Sequence, residues 1–162
     1  CSEGKVNQQS VDCLLGALIN KNKNFTYAIS PLNKSAAAIT TTVNFAPLLG
    51  GNLSLIQTSI GTSWSIANSP SYSMLIEEVD EKAYAIDRSL RHLCNAGLFN
   101  NCQALFIGDI EEKMGADNKN HVPRTIKIFS ETLDLPVFSI KNIGHGATNL
   151  AIPLGMPVAV SV

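Results

Sequence analysis

Apolar residues recur every three or four positions in several parts of the chain, and this spacing predicts amphipathic helices. The predicted helices cover residues 11–19, 53–60, 83–93 and 122–133. The residues at their ends agree with this prediction, because Asn52 is a good N-cap residue and Pro123 suits a first helical turn. Gly61 and Gly97 follow the last apolar positions of two of these segments and are typical helix stops.

Continuous apolar runs between these helices predict buried strands. They cover residues 74–76, 103–108 and 136–140, with shorter strands expected at 25–29, 38–43 and 157–162. From residue 71 to residue 140 strands and helices alternate, an order that predicts a parallel α/β sheet with right-handed crossovers. Because parallel strands end at one edge, Glu77, Asp109 and the loop carrying His145 are expected to open onto that edge.

The segment 71–81 is the first candidate for chemistry, because an apolar run there stops at a group of carboxylates. Met74, Leu75 and Ile76 are typical of a buried strand, and Glu77 follows them directly. Ligands of open α/β sheets bind at the carboxyl ends of strands, so Glu77 is a candidate functional residue. The alternative is a solvated acidic turn before the helix that begins near Ala83.

His145 is the second candidate, because its neighbours Gly144 and Gly146 let the backbone and the imidazole approach a ligand closely. Imidazole exchanges a proton near neutral pH, and a carboxylate from another strand end would fix its tautomer. A structural histidine is the alternative. The pattern predicts that Glu77 and His145 form a base and its orienting acid, while no serine lies in a Gly-x-Ser-x-Gly turn that would mark a nucleophile.

Composition narrows the range of partners. The 162 residues are 45% hydrophobic and 15% charged, as in an ordinary globular domain. The net charge of −1 gives no reason to expect nucleic acid or an acidic membrane surface, and no apolar run reaches the ~20 residues of a membrane span. No cofactor is expected, since the Gly50-Gly51 turn lacks a nucleotide-binding motif and the histidines lack metal-ligand spacing.

The cysteines bear on the cellular compartment. Cys1, Cys13, Cys94 and Cys102 form no Cys-x-x-Cys pair, and Cys13 and Cys94 lie among the apolar residues of predicted helices. We therefore expect buried, reduced thiols and a cytoplasmic protein. Because the first residue is Cys1 rather than Met, we expect the natural start to lie upstream.

Several short motifs occur in a distinctive order between about residue 45 and residue 155. They are Gly50-Gly51-Asn52-Leu53-Ser54, Gly61-Thr62, Met74-Leu75-Ile76-Glu77-Glu78-Val79, Ile86-Asp87-Arg88, Ala96-Gly97, Gly144-His145-Gly146, Asn149 and Pro153-Leu154-Gly155. With these motifs the sequence resembles the LD-carboxypeptidase family of serine peptidases. The resemblance implies a Ser-Glu-His triad that removes the terminal D-alanine from murein tetrapeptides in peptidoglycan recycling, with Glu77 as the acid and His145 as the general base.

The resemblance also implies a domain organisation. In the family the nucleophilic serine lies in an N-terminal α/β domain, which precedes a swivelling β/β/α domain. We therefore interpret residues 1–30 as a remnant of the first domain, 31–50 as a linker and 51–162 as the C-terminal domain. A chain without the serine would be nearly inactive on its own.

Family members tend to be homodimers, so the resemblance implies a homodimer here as well. Two other functions stay open. One is a microcin-immunity peptidase, which shares the triad and differs in substrate. The other is a non-catalytic module that binds cell-wall peptide or dimerises.

Overall fold

A computed structural model describes residues 7–19, 25–112 and 121–161 of the chain. The helices are α1 (Gln8–Ile19), α2 (Lys34–Ala37), α3 (Leu53–Thr58), α4 (Ala83–Asn95) and α5 (Val122–Ser130), with a 3₁₀ turn at Ile66–Asn68. The strands are β1 (Ile29–Pro31), β2 (Val43–Phe45), β3 (Leu48–Asn52), β4 (Tyr72–Glu81), β5 (Cys102–Glu112), β6 (Val137–Ile140) and β7 (Val158–Val160). Each helix in these segments is too short or too polar to cross a lipid bilayer.

The main sheet has the strand order β1-β6-β5-β4-β3. Strands β3 to β6 run parallel to one another, and β1 pairs with β6 in the antiparallel direction. The predicted parallel pairing of the strands around residues 75, 105 and 138 is therefore confirmed. A smaller antiparallel sheet joins β2 to β7.

The main sheet separates two apolar cores, because successive side chains of a strand point to opposite faces. Met74 and Ile76 pack with the buried faces of α3, α4 and α5, whereas Leu75 packs with Phe106 and Phe138 towards the smaller sheet. Helices α3, α4 and α5 lie on one face because each joins neighbouring parallel strands that are added in one direction, and such crossovers have one hand. The layers are thus sheet, sheet and helices, which confirms the predicted β/β/α class.

The predicted helix ends are largely confirmed. Asn52 caps α3, since its side chain accepts a hydrogen bond of 3.2 Å from the backbone N–H of Leu55. On α4 the outer face carries an ion pair of 2.9 Å between Asp87 and Arg91, four residues apart. Pro123 lies in the first turn of α5, as expected.

The region between residues 25 and 52 was predicted poorly. Strand β1 starts only at Ile29, the segment 38–42 forms no strand, and both α2 and β3 were missed. A helix as short as α2 depends on tertiary partners, and Asn33 supplies them by capping it and by donating to the carbonyls of Ser130, Leu133 and Leu135. Strand β3 contains Gly50 and Gly51, and two consecutive glycines are typical of a turn. Only their pairing with Leu75 and Ile76 of β4 shows that they belong to a strand.

Two further expectations were wrong. Strand β4 does not stop before Glu77, because the ladder with β5 continues, through register shifts, to Glu81 and Glu112. Cys94 is exposed rather than buried, because it lies on the outer face of α4, while Cys13 is half-buried. The thiols of Cys13, Cys94 and Cys102 are free.

The predicted division at residues 30 and 50 stays a prediction. Ala36, Phe45 and Leu48 are buried in the core that also holds Phe106 and Phe138. Helix α1 buries none of its residues, and Leu18 and Ile19 at its end are 71% and 75% exposed.

Candidate active site

Glu77 lies inside β4, at the level where the strands beside it end. Its register partner Asn52 is the last residue of β3, and β6 ends at Ile140 on the other side of β5. The Glu77 side chain is on the same face of β4 as Leu75, and the residue is only 8% exposed. Glu77 therefore lies buried at the carboxyl edge of the parallel sheet.

The segment that carries His145 leaves β6 and crosses β5 to reach Glu77. The backbone N–H of Asp109 donates a hydrogen bond of 2.7 Å to the Ile143 carbonyl and thereby fixes this segment on β5. The crossing requires glycine at residue 108, since a Cβ atom there would lie 2.4 Å from the Ile143 oxygen. Gly144 has φ +147°, which other residues rarely adopt, and this turn directs His145 back over the sheet.

The imidazole of His145 meets the carboxylate of Glu77 directly. Nδ1 lies 2.6 Å from Oε2, although 68 positions separate the two residues in the sequence. The side chain of Glu77 is 10% exposed and that of His145 is 49% exposed. The structure therefore brings together both predicted site residues, and it places Asp109 beside them as the parallel topology predicted.

This geometry has a clear chemical consequence. An ionised carboxylate accepts only, so it holds the imidazole proton on Nδ1 and leaves the lone pair on Nε2 as the basic site. The exposed side of the His145 ring is available to a reacting group, while Glu77 is screened from water. The arrangement can therefore act as a general base with an orienting acid.

Glu78, the next residue, has a different environment that the sequence did not reveal. Its carboxylate accepts hydrogen bonds from Asn52 Nδ2 at 2.7 Å, Ser54 Oγ at 2.6 Å, Ser54 N at 3.0 Å and Val79 N at 3.0 Å. Burial raises the pKa of Glu78, but the bonds from Ser54, Val79 and Asn52 outweigh burial and hold the pKa below its ordinary value. Glu78 thus ties the β3–α3 turn to β4.

The segment after His145 is held by two asparagines and by α1. Asn149 Oδ1 accepts a hydrogen bond of 3.2 Å from Gly144 N, and the Asn149 N–H donates to Ser10 Oγ at 2.9 Å. Asn7 Nδ2 donates to Thr148 Oγ1 at 2.9 Å. A cavity of about 270 Å³ lies where α1 meets residues 149–151. The contacts of Asn7 and Ser10 were not foreseen, because nothing in the pattern of α1 indicates its partner.

Across residues 7–19, 25–112 and 121–161, no three His, Cys, Asp or Glu side chains are grouped to hold a metal ion. His92 Nδ1 instead lies 3.0 Å from the side-chain amide of Gln57 on α3.

Comparisons with known proteins give matches over most of the chain. A family model described as the LD-carboxypeptidase C-terminal domain matches residues 46–160. A Rickettsia conorii protein named as a carboxypeptidase is 33% identical over 147 residues, which are 91% of this chain and 39% of the relative. The murein tetrapeptide carboxypeptidase of Pseudomonas aeruginosa is 28% identical over 109 residues, 67% of this chain and 35% of the relative.

Solved structures show the same fold. The muramoyltetrapeptide carboxypeptidase of Oxalobacter formigenes superposes with a TM-score of 0.76 at 20% identity, covering 98% of this chain and 53% of that one. The microcin C7 self-immunity protein superposes with a TM-score of 0.64 at 17% identity, covering 88% and 41%. The chain thus spans well under two thirds of these proteins' length, and 39% of the Rickettsia relative.

Proposed function

Because the chain belongs to the LD-carboxypeptidase C-terminal domain family, we propose that it supplies the acid and the base of a Ser-Glu-His triad. The observation that supports this proposal is the 2.6 Å contact between His145 Nδ1 and Glu77 Oε2. The intact protein would then be a serine LD-carboxypeptidase.

In this proposal His145 acts through Nε2. It takes the proton of the serine hydroxyl as the oxygen attacks the scissile carbonyl, and it returns a proton to the amine of the leaving amino acid. Glu77 keeps the proton on Nδ1 and stabilises the imidazolium that forms. Its burial strengthens this interaction, because few water molecules screen the carboxylate.

The proposed substrate is a murein tetrapeptide, cleaved between its L-centre and the terminal D-alanine. The names of the relatives support this class of substrate. Peptidoglycan recycling in the cytoplasm and a homodimeric assembly complete the proposal. The nucleophilic serine is proposed to come from a segment outside this sequence.

Two measurements test the proposal. The purified 162-residue chain, incubated with a murein tetrapeptide, should release no D-alanine above background. In the intact parent protein, His145→Ala should lower turnover by a factor on the order of 10⁴–10⁶. His92→Ala, which removes an exposed histidine from α4, is the matched control and should retain activity.

Rapid D-alanine release by the isolated chain would show that the nucleophile lies within it. Unchanged turnover of His145→Ala would eliminate the triad and favour a non-catalytic module that binds cell-wall peptide or dimerises.

A microcin-immunity type of peptidase is the second candidate, supported by the fold match to the self-immunity protein. The same triad would then act on an aminoacyl nucleotide, because solved structures of the self-immunity protein hold aspartyl sulfamoyl adenosine and glutamyl sulfamoyl guanosine. Assaying the intact protein with a murein tetrapeptide and with an aminoacyl sulfamoyl nucleoside separates the two substrates by their specificity ratio.

A further inference from the structure

Asp109 occupies the strand that lies between the two halves of the catalytic pair. In the main sheet β5 separates β4, which carries Glu77, from β6, after which the chain continues to His145. The segment from β6 must therefore pass over β5 before the imidazole reaches Glu77. Asp109 lies at this crossing and is half-buried.

Two hydrogen bonds connect Asp109 to the crossing segment. Its backbone N–H donates to the Ile143 carbonyl at 2.7 Å, and its carboxylate accepts from the backbone N–H of Asn142. Asn142 has φ +61°, a left-handed conformation in which asparagine is enriched among the residues other than glycine. Asp109 thus holds two consecutive residues of the segment in place.

The glycines beside His145 also pack against Asp109. A Cβ atom at residue 144 would lie 3.1 Å from the Asp109 Cβ, and one at residue 146 would lie 3.4 Å from Asp109 Oδ2. The bonds from Gly144 N to Asn149 Oδ1 and from Leu150 N to the Asn142 carbonyl close the loop on itself. The bonds to Asp109, in contrast, attach it to the sheet.

We propose that Asp109 is a positioning residue, which keeps the His145 imidazole within hydrogen-bond distance of Glu77 by accepting the Asn142 N–H. The effect of Asp109 on turnover rests on the proposed catalytic function of Glu77 and His145. Its effect on the position and tautomer of the His145 imidazole does not depend on that function. The property required at residue 109 is an acceptor oxygen rather than a negative charge.

The surroundings of the Asp109 carboxylate support the requirement for an acceptor oxygen rather than a charge. Burial raises the pKa of Asp109, the Asn142 N–H lowers it, and the charge of Glu111 raises it, with a net increase. Burial thus opposes a charge at residue 109 without removing the acceptor, and a neutral amide oxygen can accept the same hydrogen bond.

Asp109→Asn and Asp109→Ala together test whether residue 109 must supply a negative charge or only an acceptor oxygen. In the intact enzyme, Asp109→Ala should lower kcat on the order of 100-fold with KM nearly unchanged, because a small displacement of a catalytic group has an effect of this size. Asp109→Asn should stay within about threefold of wild type, because it keeps the acceptor. Glu131→Ala, which removes an exposed carboxylate from the end of α5, is the control and should behave like wild type.

A spectroscopic measurement on the 162-residue chain gives an answer independent of turnover. Imidazole ¹⁵N shifts should identify the Nδ1–H tautomer of His145 in wild type and in Asp109→Asn. They should show mixed tautomers in Asp109→Ala, while circular dichroism confirms that the variant is folded.

Three results would overturn the proposal. They are a wild-type tautomer in folded Asp109→Ala, an Asp109→Asn variant as impaired as Asp109→Ala, and failure of Asp109→Asn to fold. If His145→Ala keeps its activity while Asp109→Ala still shifts the tautomer, the positioning role stands and the proposed catalytic function fails.

Discussion

Glu77 and Glu78 are neighbouring carboxylates on one strand, both buried at 8% and 4% exposure, yet their hydrogen-bond partners differ completely. Glu77 faces the smaller sheet and contacts one titratable ring, His145. Glu78 faces the helices and receives hydrogen bonds from Asn52, Ser54 and Val79. The period of two along a strand sends them to opposite faces.

The comparison shows that burial of a carboxylate does not by itself indicate function. Glu78 is surrounded by donors that cannot exchange a proton near neutral pH, so it stabilises the β3–α3 turn. Glu77 is paired with the His145 imidazole, which can exchange a proton near neutral pH, and the side chain of His145 is 49% exposed to solvent. The partner decides between a structural and a chemical role.

Exchanging each acid for its amide is the strongest test of this comparison. In the intact protein Glu77→Gln should lower turnover about 10⁴-fold, since the amide no longer enforces the productive tautomer, and should leave the unfolding free energy nearly unchanged. Glu78→Gln should instead destabilise the fold by about 1–3 kcal/mol, because donors to the carboxylate are left poorly paired. Steady-state kinetics and urea unfolding of both variants measure turnover and stability. A stability loss in Glu77→Gln together with a turnover loss in Glu78→Gln would refute the distinction between a chemical and a structural carboxylate.

Enlarging residue 108 tests how closely the His145 segment must approach the sheet. Gly108→Ala places a methyl group 2.4 Å from the Ile143 oxygen, so the segment must shift and turnover should fall on the order of 100-fold. Gly16→Ala, in α1 with no atom within 4 Å of the added Cβ, is the matched control. The control should retain activity and should be stabilised by about 0.5–1 kcal/mol, as for glycine in a helix.

The pH dependence of stability gives the smallest effect and isolates Glu78. Because its pKa is lower in the folded state, ionised Glu78 stabilises the fold above the unfolded-state pKa of about 4.3. The difference in unfolding free energy between wild type and Glu78→Gln should therefore be constant at neutral pH and should shrink as the pH falls below about 4.

Urea unfolding between pH 3 and pH 7 measures this difference. Glu131→Gln, which removes a carboxylate 58% exposed, is the control and should stay within about 0.5 kcal/mol of wild type. A difference for Glu78→Gln that is independent of pH would argue against ionised Glu78 as the stabilising form.

Local patterns predicted the elements that carry their own signal. The helices at Leu53, Ile86 and Val122 have apolar residues at helical spacing, and their positions were confirmed. Strand β3 and helix α2 were missed, because a Gly-Gly strand and a four-residue helix exist only through their partners. The end of β4 was misplaced because the charges of its last residues suggested a turn, although the ladder with β5 continues through them.

The sequence by itself determined the parallel α/β edge and the two residues that could form an acid–base pair, because alternation and spacing are local properties. The β/β/α class followed only from the resemblance to a known family. Tertiary structure decided that the two side chains meet at 2.6 Å and that Glu78 turns to the helices, since the face of each side chain depends on strand pairing. It also decided the support from Asp109 and α1, since contacts between residues far apart in the sequence leave no periodic trace along the chain.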